Sequence, residues 1–413
     1  MRREKAQRSI NILILFLIMT FISCDDIQTV QIWTDHPEFA LYGEYYNTMQ
    51  NRYKVSVRYM EFPIAELNRN NSPDIIIASR MKNSSTQSNF KSLNNIFGSK
   101  KISRNIFNQR LLADGRIDRN HYLLPVSYNV PALIFSKDRE HEISNQFTID
   151  FSEIKESSLK FNTDSRGSYT RMGFSPLWNN KFLLTAAFLL GASFTEGEPL
   201  AWDSNALDQS MLFISNWTNE INTSSQMEED FTFKYFYESP ERLIQSGRIL
   251  FSYKESSELF LLGDDTADTL DFRWIMEKEQ IPITEDTVYL GIPKWSKSQD
   301  AARAFIMWFF KFENQRLLLE YSRLNRIDEK IFGISGGFSS LNPVTEQIYP
   351  LFYPELLGRM PPSEYFVLPN TLPANWALLK ERVVLPYLND RARSSEEIYS
   401  LERRLADWIR LNR

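Results

Sequence analysis

The chain has 413 residues, with 47 Lys plus Arg against 52 Asp plus Glu, three histidines, one cysteine and 14 glycines. This acidic balance leaves no basic footprint for nucleic acid, a lone cysteine excludes a disulfide scaffold, and His36, His121 and His141 lie too far apart in sequence for metal-ligand spacing or a His-based triad. No GxGxxG or GxxxxGK segment offers a phosphate cradle, so nucleotide chemistry, a cofactor and a metal are not expected. The length exceeds what one hydrophobic core usually organises, and two domains, interleaved or sequential, are expected. Aromatic residues make up 14% of the chain, enough for two cores and a stacking surface.

In chain order, Arg2, Arg3, Lys5 and Arg8 precede an apolar run from Ile12 to Ile22 broken only by Thr20. That is the layout of a secretory signal, and the run is too short for a membrane span, which needs roughly 20 apolar residues. Phe21-Ile22-Ser23-Cys24 resembles the lipobox of bacterial lipoproteins. Residues 1–23 are therefore expected to be a signal peptide, Cys24 the lipidated residue and 24–29 a lipidated linker. The anchor would hold the protein at a membrane face, periplasmic or outer. A plain secretory signal with an incidental thiol is the alternative, and such a thiol would be a liability in an exported protein.

Val30–Trp33 reads as a strand, Pro37–Met49 as a helix with Phe39, Tyr42, Tyr46 and Met49 on one side, and Val55–Tyr59 as an alternating strand. Pro63–Leu67 could open a short helix, and Pro73–Ala78 reads as a strand apolar on both faces. This is β-α-β-α-β, an α/β lobe. Leu123–Val126 and Ala132–Phe135 bracket a polar centre, Ser127–Pro131, and such a segment can pass between lobes. Phe182–Leu190 and Ala206–Trp217 read as helices, Arg248–Tyr253 and Phe272–Met276 as strands of a second lobe, and Glu228-Glu229-Asp230 as a solvated turn. Thr287–Ile292 is a further strand. Ser298 then offers an N-cap for a helix whose Phe305, Trp308, Phe309 and Phe310 read as core. Ser394 with Glu397 forms a capping box ahead of Ile398, Leu401, Leu405 and Trp408.

Four stretches carry a resemblance to a known family: VQIWTDHPEFALYGEYYN, SPDIIIASR, LLPVSYNVPALIFSKD and YLGIPKWSKSQDAARAFIMWFFKFENQRLLLEY. In this order the chain resembles the family 1 extracellular solute-binding proteins of bacterial ABC importers, the maltose-binding-like group. The resemblance implies an α/β fold of two lobes (type II periplasmic-binding-protein-like), joined by crossing hinge strands and ending in a helical segment. It divides the chain into 30–130 with 287–340 as lobe 1, and 131–286 with 341–413 as lobe 2. It also implies a monomer that binds a sugar in the interlobe cleft without catalysis, closes by hinge motion and delivers the sugar to the permease subunits.

Planar aromatics against the CH face of a sugar and hydrogen-bonding groups at its rim are what such a cleft needs. The carboxyl ends of the first and third strands offer Trp33 and Asp35, then Ser79 and Arg80, with Ala78 departing from the aromatic often found there in the family. Trp33 can equally pack in the lobe core. Tyr128 and Asn129 serve either as ligand contacts or in hinge hydrogen bonding. Trp178 resembles a position at the cleft mouth, or else packs in the core. Tyr253 and Lys254, with Gly337 and Phe338 in a glycine-containing loop, complete the expected set. A secreted glycosidase, which would need two flanking carboxylates, and a binding-protein fold used as an adhesin or sensor are the competing readings.

Overall fold

The computed structural model describes residues 27–99, 101–393 and 398–411, apart from the side chains of Asp264 and Asp265. The signal peptide, Cys24 and the Ser394/Glu397 capping box lie outside the described residues. Two sheets organise the rest. The first takes β1 (Gln28–Thr34), β2 (Tyr53–Tyr59), β3 (Ile75–Ser79) and β4 (Leu124–Tyr128). The chain then crosses to the second sheet with β5 (Pro131–Ser136), β6 (Thr148–Ile149), β7 (Ser252–Glu255) and β8 (Leu270–Ile275), and returns with β9 (Val288–Gly291) and β10 (Phe338–Ser339).

The first sheet runs in the order β10-β4-β9-β3-β1-β2 and the second β7-β5-β8-β6. β1 lies parallel to β2 and β3, with Ile32 opposite Val57 and Ile75, while β9 pairs antiparallel with β3 and β4. In the second sheet β5 pairs antiparallel with β7 and β8, and β6 lies parallel to β8. Ile75, Ile76, Ile77 and Ala78 are wholly buried, as an apolar run in a parallel sheet requires. The two-lobe α/β architecture implied by the sequence is thus present. The segment expected to cross does so, with Asn129 and Val130 between β4 and β5. A second crossing runs from β8 through Ile281–Pro282 to β9, and Phe366–Val367 pairs parallel with that stretch.

Each sheet is covered by helices whose aromatic stripes the sequence announces. On the first sheet α1 (Phe39–Met49) meets α5 (Gln299–Phe309), with Phe39 5.6 Å from Phe309 and Tyr46 5.3 Å from Phe305 between ring centroids. On the second, α2 (Asn180–Leu189) and α3 (Ser204–Asn222) bring Phe182 edge-on to Trp217 at 6.0 Å, and Trp376, Leu388 and Leu401 of the C-terminal helices join that core. α4 (Ser225–Lys234) follows α3 directly.

Two expectations change. Pro63–Leu67 is a run of turns, with Ala65 N–H bonded to the Phe62 carbonyl and Leu67 N–H to that of Ile64; so short a piece does not repay helix nucleation. Arg248–Phe251 is not yet strand, because the Leu250 and Phe251 N–H groups both turn to the Gly173 carbonyl, and pairing starts at Ser252. Ser298 does occupy the N-cap of α5, but its side chain makes no capping bond. The cap comes from Asp74 in the loop before β3, whose Oδ1 accepts from Ser296 Oγ at 2.9 Å, Lys297 N at 3.0 Å and Ser298 N at 2.8 Å. A carboxylate at a helix N-terminus meets both the orphan N–H groups and the helix dipole.

The second sheet is tied to the chain beyond β10 by a buried charge network. Arg273, 1% exposed, gives Nη1–H to Asp271 at 2.7 Å and Nε–H to the Asn145 carbonyl at 2.6 Å, while Arg359 reaches the other Asp271 oxygen at 2.5 Å. Burial works against the ionised Asp271, but the two guanidiniums outweigh it and hold the carboxyl below its ordinary range. Replacing Asp271 by Ala leaves the buried Arg273 with only the exposed Glu140, 3.5 Å away, as a carboxylate partner. The expected loss of stability is about 3–5 kcal/mol in a urea melt, and a loss below about 1 kcal/mol contradicts this account of the network.

Candidate ligand-binding site

β1 and β3 run parallel and end side by side, the edge at which ligands meet parallel sheets. There the Asp35 carboxylate accepts the Ser79 N–H at 3.1 and 3.3 Å. The imidazole of His36 has Nδ1 3.3 Å from Glu38 and Nε2 3.4 Å from Asp35, with Ser79 Oγ 3.3 Å from the same Nε2. Burial disfavours the imidazolium, but Glu38, Asp35 and the more distant Asp286 raise the His36 pKa above 6.5. Burial likewise pushes Asp35 upward. Glu38 on one side of the His36 ring and Asp35 on the other favour the imidazolium, so His36, Asp35 and Glu38 form a wall of ionisable groups beside the Ser79 hydroxyl.

Arg80 takes a left-handed backbone (φ 55°) and lines, with Glu285 and Pro369, a gap of about 40 Å³. That is room for about one water. Across the lobes, Ser84 gives its N–H and Oγ–H to the two carboxylate oxygens of Glu196 at 2.7 and 2.8 Å, so this edge is clasped shut. Trp33 is 3% exposed and packs with Ile76, Ala78 and Met81, with the Arg58 guanidinium 5.8 Å from its ring.

Tyr128, Asn129, Gly337 and Phe338 meet at the junction. Tyr128 packs 5.7 Å from Phe338 and both are buried. A Cβ on Gly337 would stand 2.6 Å from the Tyr128 carbonyl oxygen, so the glycine lets two backbones touch. Asn129 gives Nδ2–H to the Gly336 carbonyl at 3.0 Å, and its Oδ1 accepts from Ser256 Oγ at 2.6 Å.

A cavity of about 890 Å³ lies on the second lobe, lined by Trp178, Phe231, Tyr235, Phe236, Tyr253 and Lys254 among others. Trp178 stacks on Phe231 at 5.8 Å and 23°, and its indole N–H has no partner among the described residues. Tyr253 gives the wall its ring, with its hydroxyl 3.0 Å from Thr185 Oγ1; Lys254 is paired with Glu241 at 2.6 Å. Glu228, expected in a solvated turn, is instead a buried residue of α4 on the cavity wall. It accepts from Ser175 and Asn222 at 2.6 Å each, and burial pushes its carboxyl up to about 7. Its neighbour Glu229 pairs with Arg393. The turn reading failed because Ser224, which accepts the Met227 N–H, starts a helix there.

Of the expected site residues, the cavity gathers Trp178, Tyr253 and Lys254. Asp35, Ser79 and Arg80 stand together at the strand ends, Tyr128, Asn129, Gly337 and Phe338 form the junction, and Trp33 lies in the lobe core. Phe231, Tyr235 and Phe236 were not singled out. Their signal is the aromatic density of DFTFKYFY, in which five of eight residues carry rings.

No protein-family profile matches the chain, and no curated protein matches it by sequence. Solved structures match over nearly the full length. The sugar-binding protein MalE of the phytopathogen Xanthomonas citri aligns at a TM-score of 0.68 and 11% identity, covering 93% of this chain and 96% of that one. A substrate-binding protein of Listeria monocytogenes in complex with cycloalternan aligns at 0.60 and 15%, covering 92% and 97%. The maltose/maltodextrin-binding domain MalE of Bdellovibrio bacteriovorus bound to maltotriose aligns at 0.54 and 14%, covering 92% and 100%. At these identities the likeness is one of fold: the chain has the two-lobe architecture of these sugar-binding proteins. Among the described residues no helix is long and apolar enough to cross a membrane, and no His/Cys/Asp/Glu group could hold a metal.

The charged wall makes a pH prediction. A histidine whose folded pKa is raised stabilises the fold fully below the unfolded value near 6.5, and this contribution is lost as pH rises through the folded pKa. Melting temperature should therefore decline from pH 6.5 upward in the native chain and decline less in His36→Gln. An NMR titration midpoint for His36 at or below 6.5 contradicts the assignment.

Proposed function

We propose that this chain is the lipid-anchored, non-catalytic solute-binding component of an ABC importer, taking a sugar or oligosaccharide and presenting it to a membrane permease. The observation that carries the reading is the second-lobe cavity, whose wall brings the Trp178 ring, stacked on Phe231, together with Lys254 and the buried Glu228. An aromatic face with hydrogen-bonding groups around it is the chemistry a pyranose calls for. The fold shared with sugar-binding proteins supports the same reading.

In this proposal Trp178 stacks on the ligand, Tyr253 shapes the cavity and Lys254 contacts ligand hydroxyls. When the lobes part at the Ser84–Glu196 contact, Asp35, Ser79 and Arg80 present hydrogen-bonding groups from the opposite lobe. Trp33 supports that edge from within. Tyr128, Asn129, Gly337 and Phe338 hold the junction about which the lobes move. Cys24 carries the lipid that keeps the protein beside its permease.

Titration with neutral oligosaccharides tests the binding. A ligand held by the native state alone stabilises it by about 2.7 kcal/mol at a hundred times its Kd, and Trp178→Ala should weaken that affinity by about tenfold or more. No thermal shift across a panel of sugars, or full affinity in Trp178→Ala, sinks the reading. For the anchor, Cys24→Ser should move the expressed protein from the membrane to the soluble fraction and abolish labelling by a radioactive fatty acid.

A further inference from the structure

Beside the cavity stands an aromatic group that the fold does not use. Phe233 is 84% exposed, Phe236 69% and Tyr237 97%, at the end of α4 and in the turn after it. Single exposed apolar residues are ordinary, but three neighbouring rings left in water mark a contact surface. Inside, Trp178 lies 5.8 Å from Phe231 and Phe231 4.9 Å from Tyr235, while in the following turn Phe236 lies 5.3 Å from Tyr237 at 85°. Phe233 and Phe236 both border the cavity.

We propose that Phe233, Phe236 and Tyr237 form a stacking platform at the mouth of the cavity, which receives the further units of a neutral, linear oligosaccharide whose end occupies the cavity. The inference rests on the saccharide reading above and extends it to chain length and charge. The rings offer apolar faces, and the residues between and beside them are polar: Glu229, Asp230, Thr232, Lys234 and Glu238. Among the described residues Asp230, Glu238 and Lys234 have no ion-pair partner, two carboxylates against one ammonium, and the basic residues of the cavity wall are committed, Lys254 to Glu241 and Arg393 to Glu229. An anionic glycan or an anionic membrane surface would meet a net negative charge here. A protein interface would have to bury these charged groups, whereas interface centres are depleted of charge. A neutral glycan satisfies both features, since its CH faces cover the rings and its hydroxyls donate to the carboxylates.

The test uses the full chain and a triple variant, Phe233→Ser, Phe236→Ser and Tyr237→Ser, whose fully folded state is checked by an unchanged melting temperature without ligand. Calorimetric titration runs through homologous neutral glucans and mannans from disaccharide to hexasaccharide, with a uronic-acid oligomer and anionic phospholipid vesicles alongside. The expected result is affinity rising with chain length in the native chain. In the variant, disaccharide affinity falls by a few-fold, because Phe233 and Phe236 also border the cavity, and hexasaccharide affinity falls by about tenfold more than that. An equal loss at every length, no loss at any length, or binding of vesicles or the uronate that depends on the three rings overturns the platform. A native chain that binds no member of the series overturns the saccharide reading itself, and the platform falls with it.

Discussion

The arrangement depends on one side chain, the amide of Asn129 between β4 and β5. It gives its Nδ2–H to the Gly336 carbonyl ahead of β10, and accepts at Oδ1 from Ser256 just after β7. Its own carbonyl accepts the Thr284 N–H on the second crossing at 3.0 Å, and the next residue, Val130, exchanges bonds with Ser256 through N–H to Oγ and carbonyl to N–H. Three segments distant in sequence are thus pinned around a residue that is 5% exposed. A buried amide is costly unless its groups are satisfied, and here both the donor and the acceptor are used, so the polar knot specifies one geometry for the junction.

From that geometry the placement of the site follows. Because β5 leaves the knot directly, with β7 on one side and β8 on the other, the second sheet is set rigidly against the junction, and the edge strand β7 presents Tyr253 and Lys254 to the cavity. The opposite wall is α4, fixed by Glu228 buried against Ser175 and Asn222. Both walls therefore belong to one lobe and are held by that lobe's own contacts, which would lower the ordering cost of the proposed binding. The lobe-1 edge is built differently: His36 is surrounded by carboxylates and the Ser84–Glu196 contact closes the gap, so the proposed function requires the lobes to part there.

The sheets were legible because their signal is local. Val55–Tyr59 alternates, Ile75–Ala78 is apolar throughout, and the α5 stripe repeats at helical spacing, so an α/β lobe could be written down before any contact was known, while the two-lobe arrangement followed from the family resemblance. What stayed hidden depends on residues remote in sequence. Asp74 caps a helix that starts at Gln299, and the bond between Ser84 and Glu196 links two loops with no shared pattern. Trp33 shows the limit from the other side: the strand end was found, but alternation along β1 alone does not say that Ile76 and Met81 would close over its ring. The run DFTFKYFY was readable as aromatic density, yet its acidic leader suggested solvent, and burial of Glu228 needed the Ser175 and Asn222 partners to be seen.

Hydrogen exchange at the junction tests the central claim most directly. If the Asn129 knot is the fixed point of the molecule, the amides of Val130, Ser256 and Thr284 exchange only through global unfolding, at the slowest rates in the chain and with the denaturant dependence of complete unfolding. Exchange of these three amides at rates close to those of exposed loops, with no dependence on denaturant, would contradict it.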